Sequence, residues 1–352
     1  MARNMQRFSN LYDLKVNFNI NLSTWREKFY AFDEKKQKST NNAFKVLSFF
    51  LQNYEIKGFT LNFQLMLKNF DLDVAQMLQP KTNTLQFIKI GCSEIQIQSL
   101  IVLTQIPQLK SIVIHETIIS NCSQGLSGIK DKLKENPSVQ SISFYKNQIC
   151  FFGQQVLFQE ILPCLTGLTK LQVPTNQLKD RIVDDVILYM KNQRRQGIKS
   201  LNIGNNHFKI ESLMKLFSFL TAEYPALQKL QLGFQSFESS QQFMRVVDIM
   251  KENKFIKSYN FEGCNLSLSD LDYLNKMLIS NKKSGIKKIK LGLNRFSEEQ
   301  LNEKFKVENL SSTDSSSSDD ERDTRNLYPI MDIVEKPIES FYAGLFRCLK
   351  MY

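Results

Sequence analysis

A chain of 352 residues, 42% of them apolar, has enough apolar material for a continuous hydrophobic core. Its formal net charge of +11 is uneven, because residues 311–352 hold 5 Lys/Arg and 8 Asp/Glu, which leaves 41 Lys/Arg and 27 Asp/Glu on residues 1–310. This balance favours an acidic ligand. The longest uncharged apolar stretch, residues 95–109, contains glutamines and a proline and is too short to span a bilayer, so the sequence predicts a soluble protein without a membrane partner.

Cysteine usage and the first residues predict an intracellular setting. The six cysteines are scattered, with no C-x-x-C pair and no spacing suited to zinc, which predicts a reducing compartment and burial in the core. They are Cys92, Cys122, Cys150, Cys164, Cys264 and Cys348. Residues 1–8 lack the apolar core of a secretory signal, and a mitochondrial presequence is the less favoured alternative.

Residues 1–55 predict an irregular N-terminal capping region. Residues 11–19 fit a strand pattern, residues 25–38 form an insertion rich in aromatics and lysines, and residues 43–53 have the apolar spacing of a helix. A terminal unit that departs from the regular pattern is what a repeat array needs to end its exposed core.

Residues 56–310 follow the template apolar-x-x-apolar-x-apolar-x-x-Asn-x-apolar, which is clearest in residues 168–178 and 198–208. Copies start at Ile56, Leu85, Leu109, Val139, Leu168, Ile198, Leu227, Ile256 and Ile286. From Leu109 onward the starts are 29 or 30 residues apart, and a helical apolar pattern follows the strand-like template. A fixed period of this length predicts a solenoid, in which no unit can bury its apolar face alone.

The template and its period resemble the leucine-rich repeat family, in particular the ribonuclease-inhibitor-like repeats of about 29 residues. The resemblance implies an α/β fold, a curved horseshoe-shaped solenoid with parallel strands on the concave face and helices on the convex face. Side-chain alternation then places template positions 4 and 6 in the core and positions 3, 5 and 7 outside. The repeat at Leu85 has only 24 residues, so we expect its helix to be short or replaced by a turn.

The array is predicted to close with a helix that runs to about residue 307, because Ser297 and Gln300 have the spacing of a capping box. Residues 311–326 contain no apolar residue and cannot offset the entropy of ordering, so they predict a disordered, acidic, serine-rich linker.

Residues 327–352 predict a C-terminal tail with an amphipathic docking helix that starts at Pro337. Its apolar face consists of Ile338, Phe341, Tyr342, Leu345, Phe346 and Leu349. Such a helix either covers an exposed edge of the solenoid or inserts into a groove on a partner, and we favour the first.

The sequence contains no motif of an active site. G-x-S-x-G, the Walker lysine loop, G-x-G-x-x-G and H-E-x-x-H are all missing. His115 and His207 occupy different template positions three repeats apart and predict two surface histidines. We therefore expect a protein that is not an enzyme and has no catalytic residue, cofactor, metal site or small-molecule substrate.

Template position 9 is predicted to be structural. It is asparagine in four repeats, at Asn147, Asn176, Asn206 and Asn294. In the leucine-rich repeat proteins that these positions resemble, this side chain stays inside and bonds backbone groups of neighbouring turns, as a buried amide requires. Cys264 and Thr117 stand at the same position as weaker substitutes, and Gln235 is a less usual one.

The outward template positions have a charge bias. Of the 36 residues at positions 2, 3, 5 and 7 of the nine repeats, ten are lysine and only Glu262 is acidic. The lysines are Lys57, Lys89, Lys110, Lys170, Lys199, Lys229, Lys257, Lys287, Lys288 and Lys290. Chain-wide frequencies would give about five basic and about four acidic residues. The bias predicts a positive band along the strands, in which the eight lysines from Lys110 onward bind a partner; the alternative is a solvated face that binds nothing.

We expect the band to bind an acidic protein surface, which makes the chain a non-enzymatic scaffold or adaptor. Nucleic acid is less favoured, because aromatic residues for base stacking are limited to Phe87 and Tyr145. A third option is internal, with the acidic linker lying in the chain's own basic groove. Ser316, Ser317 and Ser318, each with an acid three residues on, resemble acid-directed kinase sites, and phosphorylation would add roughly 1.5 to 2 negative charges per serine. An inert, solvated linker is the favoured alternative.

Two other functions are alternatives. The repeat length and the acidic C-terminal segment are also similar to those of Ran GTPase-activating proteins, which implies a GTPase regulator, although no arginine matches that family's catalytic face. A ubiquitin-ligase substrate receptor would need a short helical adaptor module, which residues 1–55 do not obviously supply. Inhibition of a secreted ribonuclease is less favoured, because ribonuclease inhibitors are cysteine-rich and acidic. Analogy with repeat proteins of similar composition places the chain in the cytoplasm, on the cytoskeleton or in a cilium.

Overall fold

A computed structural model describes residues 58–63, 84–92, 94–120, 135–193, 197–281, 285–297, 299–301 and 330–331. They belong to two compact units, Met1–Lys229 and Leu230–Tyr352. The predicted helices at residues 43–53 and 338–349, the insertion at 25–38 and the linker at 311–326 lie outside the described residues.

The described strands of the first unit form two parallel sheets. They are β1 (Gly58–Phe63), β2 (Phe87–Cys92), β3 (Glu94–Gln96), β4 (Ser111–His115), β5 (Ile118–Ser120), β6 (Ser141–Tyr145), β7 (Gln148–Ile149), β8 (Lys170–Gln172) and β9 (Ser200–Asn202). The main sheet has the order β1-β2-β4-β6-β8-β9, and β3-β5-β7 form a second, smaller sheet that the template did not predict. Ile142 of β6 is aligned with Ile112 on one side and Leu171 on the other, so neighbouring strands pair at equal template positions.

The predicted alternation of buried and outward positions is confirmed except at Ser143 and at three position 7 glycines, Gly91, Gly204 and Gly233, which are buried. Position 4 is at most 1% exposed and position 6 at most 4% exposed in every repeat from Leu85 onward, and burial of such a side chain stabilises the fold by about 2 kcal/mol. Ser143, at an outward position, is nevertheless buried. Its short side chain lies between Val113 and Gln172 of the two adjacent strands, which rise above it.

Helical segments follow the strands of the first unit. They are α1 (Ile97–Thr104), α2 (Phe151–Val156), a π-helical segment (Leu157–Ile161), α3 (Leu162–Cys164), a 3-10 turn (Asp180–Ile182), α4 (Val183–Lys191) and α5 (Ile210–Ala222). Helix α1 has 8 residues, which confirms the short helix expected for the 24-residue repeat. Helices α4 and α5 contact each other beside the sheet, so the unit has a strand layer and a helical layer.

Helices α4 and α5 bury the apolar faces that their sequences predicted. Val186 and Met190 of α4 and Leu216 and Leu220 of α5 are each at most 1% exposed. Acids at the start of α4, Asp184 and Asp185, suit the positive end of the helix dipole.

The second unit repeats the same pattern. Its elements are β10 (Lys229–Gln231, which contains the division between the units), α6 (Ser240–Lys251), β11 (Ser258–Asn260), α7 (Leu268–Ser280), β12 (Lys288–Lys290) and β13 (Ile330–Met331). Strands β11, β12 and β13 pair in parallel, and α6 contacts α7. Strand β13 belongs to the stretch that the sequence assigned to the tail, and it places Ile330 opposite Lys288.

Two capping boxes fix helix starts in the second unit. Ser267 Oγ accepts the N–H of Asp270 at 3.4 Å, and Asp270 Oδ2 accepts the N–H of Ser267 at 2.8 Å. The predicted box at the end of the array is confirmed, because Ser297 Oγ accepts the N–H of Gln300 at 3.2 Å and Gln300 Oε1 accepts the N–H of Ser297 at 2.9 Å. Only the first turn of the predicted closing helix falls within the described residues.

The position 9 residues form a hydrogen-bonded ladder inside the turns that follow the strands. Asn176 Oδ1 accepts the N–H of Asn147 at 3.0 Å, and its Nδ2 donates to the carbonyl oxygens of Phe144 and Pro174 at 2.8 and 2.9 Å. Asn206 Oδ1 likewise accepts the N–H of Asn176 at 3.0 Å. The predicted structural role is confirmed.

The substitutes at position 9 differ in how far they continue the ladder. Cys264 Sγ donates to the carbonyl oxygen of Leu232 in the preceding repeat at 3.4 Å, where an asparagine would place its Nδ2. Thr117 Oγ1 donates instead to the carbonyl oxygen of His115 in its own repeat at 2.8 Å. The shorter threonine side chain does not reach the preceding repeat with this bond.

The residue before the ladder position has left-handed backbone in every repeat from Leu109 onward. These residues are Glu116, Lys146, Thr175, Asn205, Phe234, Gly263 and Leu293, with φ between 50° and 65°. Only one of the seven is glycine, the residue that adopts this conformation without strain. The turn therefore imposes the same backbone on side chains that do not favour it.

The prediction that the cysteines are buried is wrong for Cys150. Cys264 is buried and Cys164 is half-buried, but Cys150 is exposed. Cys150 stands at the N-cap of α2, where its sulfur accepts the N–H of Gly153 at 3.4 Å. This position lies outside the apolar face, so helix capping rather than core packing accounts for its place. The side chains of Cys92, Cys122 and Cys348 are outside the described part of the chain.

Candidate functional site

Lysine side chains stand on the exposed face of the first unit's main sheet. Lys110, Lys170 and Lys199 are exposed and Lys229 is half-buried. Lys170 and Lys229 occupy template position 3, immediately before the fully buried position 4 residues Leu171 and Leu230, so strand alternation holds them away from the core. Lys110 and Lys199 occupy position 2, one residue before β4 and β9 begin.

The backbone brings three of these lysines together. The carbonyl oxygen of Lys199 accepts the N–H groups of Gln228 and Lys229 at 2.9 and 3.0 Å, so Lys199 and Lys229 lie on successive strands. Lys170 lies opposite Ser200, the residue after Lys199. Lys110 is one strand removed from this group, because β6 contributes Ser141 between Lys170 and β4.

A denser lysine cluster lies in the second unit. The carbonyl oxygen of Lys257 accepts the N–H groups of Lys287 and Lys288 at 2.8 and 3.1 Å. Lys288 and Lys290 are half-buried on β12, opposite Ser258 and Asn260 of β11. Lys288 and Lys290 thus lie on β12, and Lys257 and Lys287 stand immediately before β11 and β12.

The strand-face lysines are not used in described ion pairs. Within the described ranges, Lys110, Lys170, Lys199, Lys257 and Lys287 form no ion pair. The pairs that do occur are Lys146–Glu116, Lys191–Glu223, Lys215–Asp184 and Lys251–Asp248. The positive charge of those five lysines is therefore not neutralised by a described carboxylate.

The histidines stand at different places. His115 is half-buried beside Gly91, where a Cβ atom would collide with the imidazole. Burial lowers the pKa of His115 below its ordinary value, and the positive charge of Lys89 lowers it further while Glu116 opposes the shift. His207 is exposed and forms a backbone bridge with Lys179. The structure assigns no joint role to the two side chains.

The three predicted phosphorylation sites, Ser316, Ser317 and Ser318, and the apolar face of the predicted docking helix lie outside the described residues. Strand β13 is the described part of the tail, and it pairs with β12. The chain therefore returns to a lysine-bearing strand shortly after the acidic linker in the sequence.

Sequence reasoning missed a pocket in the helical layer of the first unit. Its volume is about 650 Å³, and it lies between the helix of residues 151–164 and α4. The lining residues are Glu135, Phe158, Gln159, Glu160, Pro163, Cys164, Thr166, Asp185, Leu188, Tyr189, Asn192 and Gln193.

Pro163 explains why the wall of this pocket is irregular. A proline has no N–H to donate to the carbonyl of Gln159, four residues earlier, and its ring crowds that carbonyl. The helix widens into the π-helical segment Leu157–Ile161, which ends two residues before the proline. Glu160 lies in this widened turn, where its carbonyl oxygen accepts the Cys164 thiol at 3.3 Å. The proline was the one sequence signal that could have marked the site.

The described ranges contain neither a candidate metal cluster nor a helix able to span a membrane. No group of three or more His, Cys, Asp or Glu side chains in them is arranged to hold a metal ion. None of their helices has both the length and the apolarity needed to cross a membrane.

Comparisons with known proteins show likeness at the level of structure. No protein-family model and no curated protein matches the chain. A tropomodulin C-terminal domain of Caenorhabditis elegans is 11% identical and aligns over 46% of this chain and 93% of that one, with a TM-score of 0.33. A Bacteroides fragilis protein is 15% identical over 79% and 70% of the two chains (TM-score 0.44), and a Listeria monocytogenes internalin is 14% identical over 72% and 71% (TM-score 0.34).

The chain has the leucine-rich-repeat type of α/β fold. This conclusion depends on its own geometry: parallel strands in template register, each buried at positions 4 and 6, with a position 9 ladder and helices in a second layer.

Proposed function

We propose that this chain is a non-enzymatic protein-interaction scaffold whose strand face binds an acidic protein surface. The observation that supports it most is the lysine cluster of the second unit, in which Lys288 and Lys290 lie on β12 and Lys257 and Lys287 stand immediately before β11 and β12. Lys257 and Lys287 are exposed and form no ion pair with a described carboxylate, so their like charges have an electrostatic cost that a bound acidic surface would remove.

Protein is favoured over nucleic acid as the ligand. Lysines are point charges suited to carboxylates, whereas binding of single strands also uses aromatic platforms. Of the two candidate aromatics, Tyr145 is 41% exposed with Lys146 Nζ 5.4 Å from its ring centroid, while Phe87 is half-buried. A lone exposed ring gives little stacking surface.

The experiment compares matched charge reversals in affinity purification from native extract at low and high salt. Lys199→Glu/Lys229→Glu tests the first unit and Lys257→Glu/Lys288→Glu the second. Arg245→Glu/Lys276→Glu, on the exposed surfaces of α6 and α7, changes the net charge equally in the helical layer. Partners that salt weakens and that only the strand-face variants lose support the proposal.

Retention of the same partners by both strand-face variants would contradict the proposal. It would show that the strand-face lysines are solvated and bind no partner. Equal losses with the helical-layer control would show a response to net charge alone. A fluorescein-labelled decaglutamate peptide serves as a defined acidic probe for the same variants.

A GTPase regulator remains the alternative function, followed by a ubiquitin-ligase substrate receptor. No described feature favours either one. Stimulation of GTP hydrolysis by a small GTPase on addition of this chain would overturn the non-enzymatic scaffold in favour of the regulator.

A further inference from the structure

Two side-chain amides lie between the lysines of the first unit's strand face. Gln172 of β8 and Asn202 of β9 occupy template position 5 and are aligned with each other in the parallel pairing. Lys170 stands two residues before Gln172 and therefore on the same face, and Lys199 stands immediately before β9. Both lysines are exposed, whereas both amides are half-buried. The amides thus lie deeper in the face than the charged side chains that flank them.

A backbone hydrogen bond fixes the orientation of Asn202. Its Oδ1 accepts the N–H of Gly204 at 3.0 Å, which leaves Nδ2 as the group available to a ligand. Among the described residues this Nδ2 has no acceptor, and the side-chain amide of Gln172 has no hydrogen-bond partner. The same bond recurs in the second unit, where Asn260 Oδ1 accepts the N–H of Glu262 at 2.7 Å. Asparagine at position 5 is therefore held with its N–H donors unused.

The strand face around these amides is free of acids in the first unit. Positions 2, 3, 5 and 7 of its described repeats hold no Asp or Glu. After the two amides, position 7 holds Pro174 and Gly204, which carry no charge, whereas Glu262 stands at that position beside Asn260 in the second unit. Unused N–H donors next to uncompensated positive charge favour a ligand that brings both acceptors and negative charge.

We propose that Gln172 and Asn202 bind the main chain of an extended acidic segment of the partner protein. This inference rests on the proposed function and specifies the form of acidic partner that the strand face takes. An extended segment presents backbone C=O and N–H groups that no secondary structure uses. Asn202 Nδ2 donates to a carbonyl oxygen of the segment, and the amide of Gln172 can both donate and accept. Acidic side chains of the same segment pair with Lys170 and Lys199.

The depth of the amides favours a single chain over a broad folded surface. A flat surface meets the exposed lysine side chains first and is held away from half-buried groups, whereas one extended chain is narrow enough to reach them. Neighbouring strands are about 4.8 Å apart and an extended chain rises about 3.4 Å per residue. The aligned pair Gln172 and Asn202 is therefore within reach of backbone groups on successive residues of one segment.

The test compares two labelled ligands of the full chain by fluorescence anisotropy: decaglutamate, and an oligoacrylate with the same number of carboxylates but no peptide backbone. Asn202→Ser keeps a hydroxyl that can accept the N–H of Gly204 and removes the amide donor. Asn202→Ser and Gln172→Ala should each weaken decaglutamate binding about three- to tenfold, and neither should change binding of oligoacrylate. Gln148→Ala removes an exposed amide from β7 of the smaller sheet and should change neither affinity.

The lysine variant separates this inference from the proposed function. Lys199→Glu/Lys229→Glu should weaken both ligands. If it does so while the amide variants weaken neither ligand, or weaken both equally, the main-chain contact is overturned and the acidic-surface scaffold stands. If the lysine variant changes neither affinity, the proposed function fails and this inference fails with it.

Thermal midpoints of the variants separate binding from folding. Gln172→Ala removes a side chain without a described bond, so its midpoint should equal that of the unsubstituted chain. Should Asn202→Ser lower the midpoint, Gln172→Ala alone decides the outcome: selective loss of decaglutamate binding supports the main-chain contact, and unchanged binding overturns it.

Discussion

The side-chain carbonyl oxygen of Asn176 accepts the backbone N–H of Asn147, 29 residues earlier, at 3.0 Å. This bond joins two consecutive repeats. The Asn176 amide nitrogen also donates to the carbonyl oxygen of Phe144 in that earlier repeat. One side chain therefore satisfies a backbone donor and a backbone acceptor of the preceding repeat.

Asn176→Ala should therefore lower the free energy of unfolding by about 3 kcal/mol, because buried backbone groups lose their partners. Urea unfolding monitored by circular dichroism measures it. Gln172→Ala, on the strand face of the same repeat, is the control and should change stability by less than about 0.5 kcal/mol. Equal effects of the two substitutions would show that the position 9 hydrogen bonds do not contribute to the free energy of unfolding.

Two described cysteines should differ in reactivity. Burial raises the pKa of Cys264 to about 12, with a smaller contribution from Glu262, whereas Cys150 is exposed. The thiolate is the reactive form, so at pH 8 iodoacetamide should modify Cys150 and leave Cys264 intact until the chain is unfolded in urea. Mass mapping of the two peptides reports the outcome, and equal labelling in the native state would contradict the burial of Cys264.

The contact between α6 and α7 should depend on pH. Lys251 Nζ donates to Asp248 Oδ1 at 2.9 Å, and this bond is the main cause that lowers the pKa of Asp248, with help from the Tyr273 hydroxyl at 2.7 Å. A lowered folded-state pKa gives stability that is present above the ordinary carboxylate pKa and lost as the pH falls through the lowered value.

Asp248→Asn should thus lower the free energy of unfolding by about 0.5 kcal/mol at pH 7, a small effect because solvent screens the pair. The difference should vanish near pH 2. Glu252→Gln, an exposed acid at the end of α6, provides the comparison. If the difference in free energy of unfolding between Asp248→Asn and the unsubstituted chain increased at low pH, the pKa of Asp248 could not be lowered in the folded state.

Charge on the acidic linker should regulate the strand face. Ile330 of β13 lies opposite Lys288, so the linker that precedes it is tethered to the lysine-bearing strand β12. Ser316→Asp/Ser317→Asp/Ser318→Asp should weaken decaglutamate binding several-fold at low salt, and the triple alanine variant should not. Fluorescence anisotropy measures both. Unchanged affinity of the aspartate variant would show that the linker does not compete.

The C-terminal apolar residues should stabilise the fold if they cover the array. Phe341→Ala/Leu345→Ala is expected to lower the thermal midpoint by about 5 °C, because two large side chains are truncated. Glu339→Gln in the same segment should leave it unchanged. An unaltered midpoint of the double variant would contradict capping and favour docking on a partner.

The template predicted the regular part of the fold well, because burial at positions 4 and 6 is a local consequence of strand alternation. It also identified Asn176 and its equivalents, since a recurring polar residue in a buried turn requires fixed partners. The smaller sheet was missed because strands such as Gln148–Ile149 are too short to show a period. The acid-lined pocket was missed because Glu135, Glu160 and Asp185 come from different segments, and only helix packing brings them to one cavity.

The left-handed residue before each ladder position has a consequence for how the chain folds. A side chain such as that of Thr175 or Phe234 raises the free energy of this conformation by about 1–2 kcal/mol, so the turn does not hold its shape by itself. It is held once the adjoining repeat supplies its bonds. Folding must then propagate from a completed repeat to the adjacent one. In a fragment that ends within a repeat, the last turn would lack the hydrogen bonds that hold its conformation.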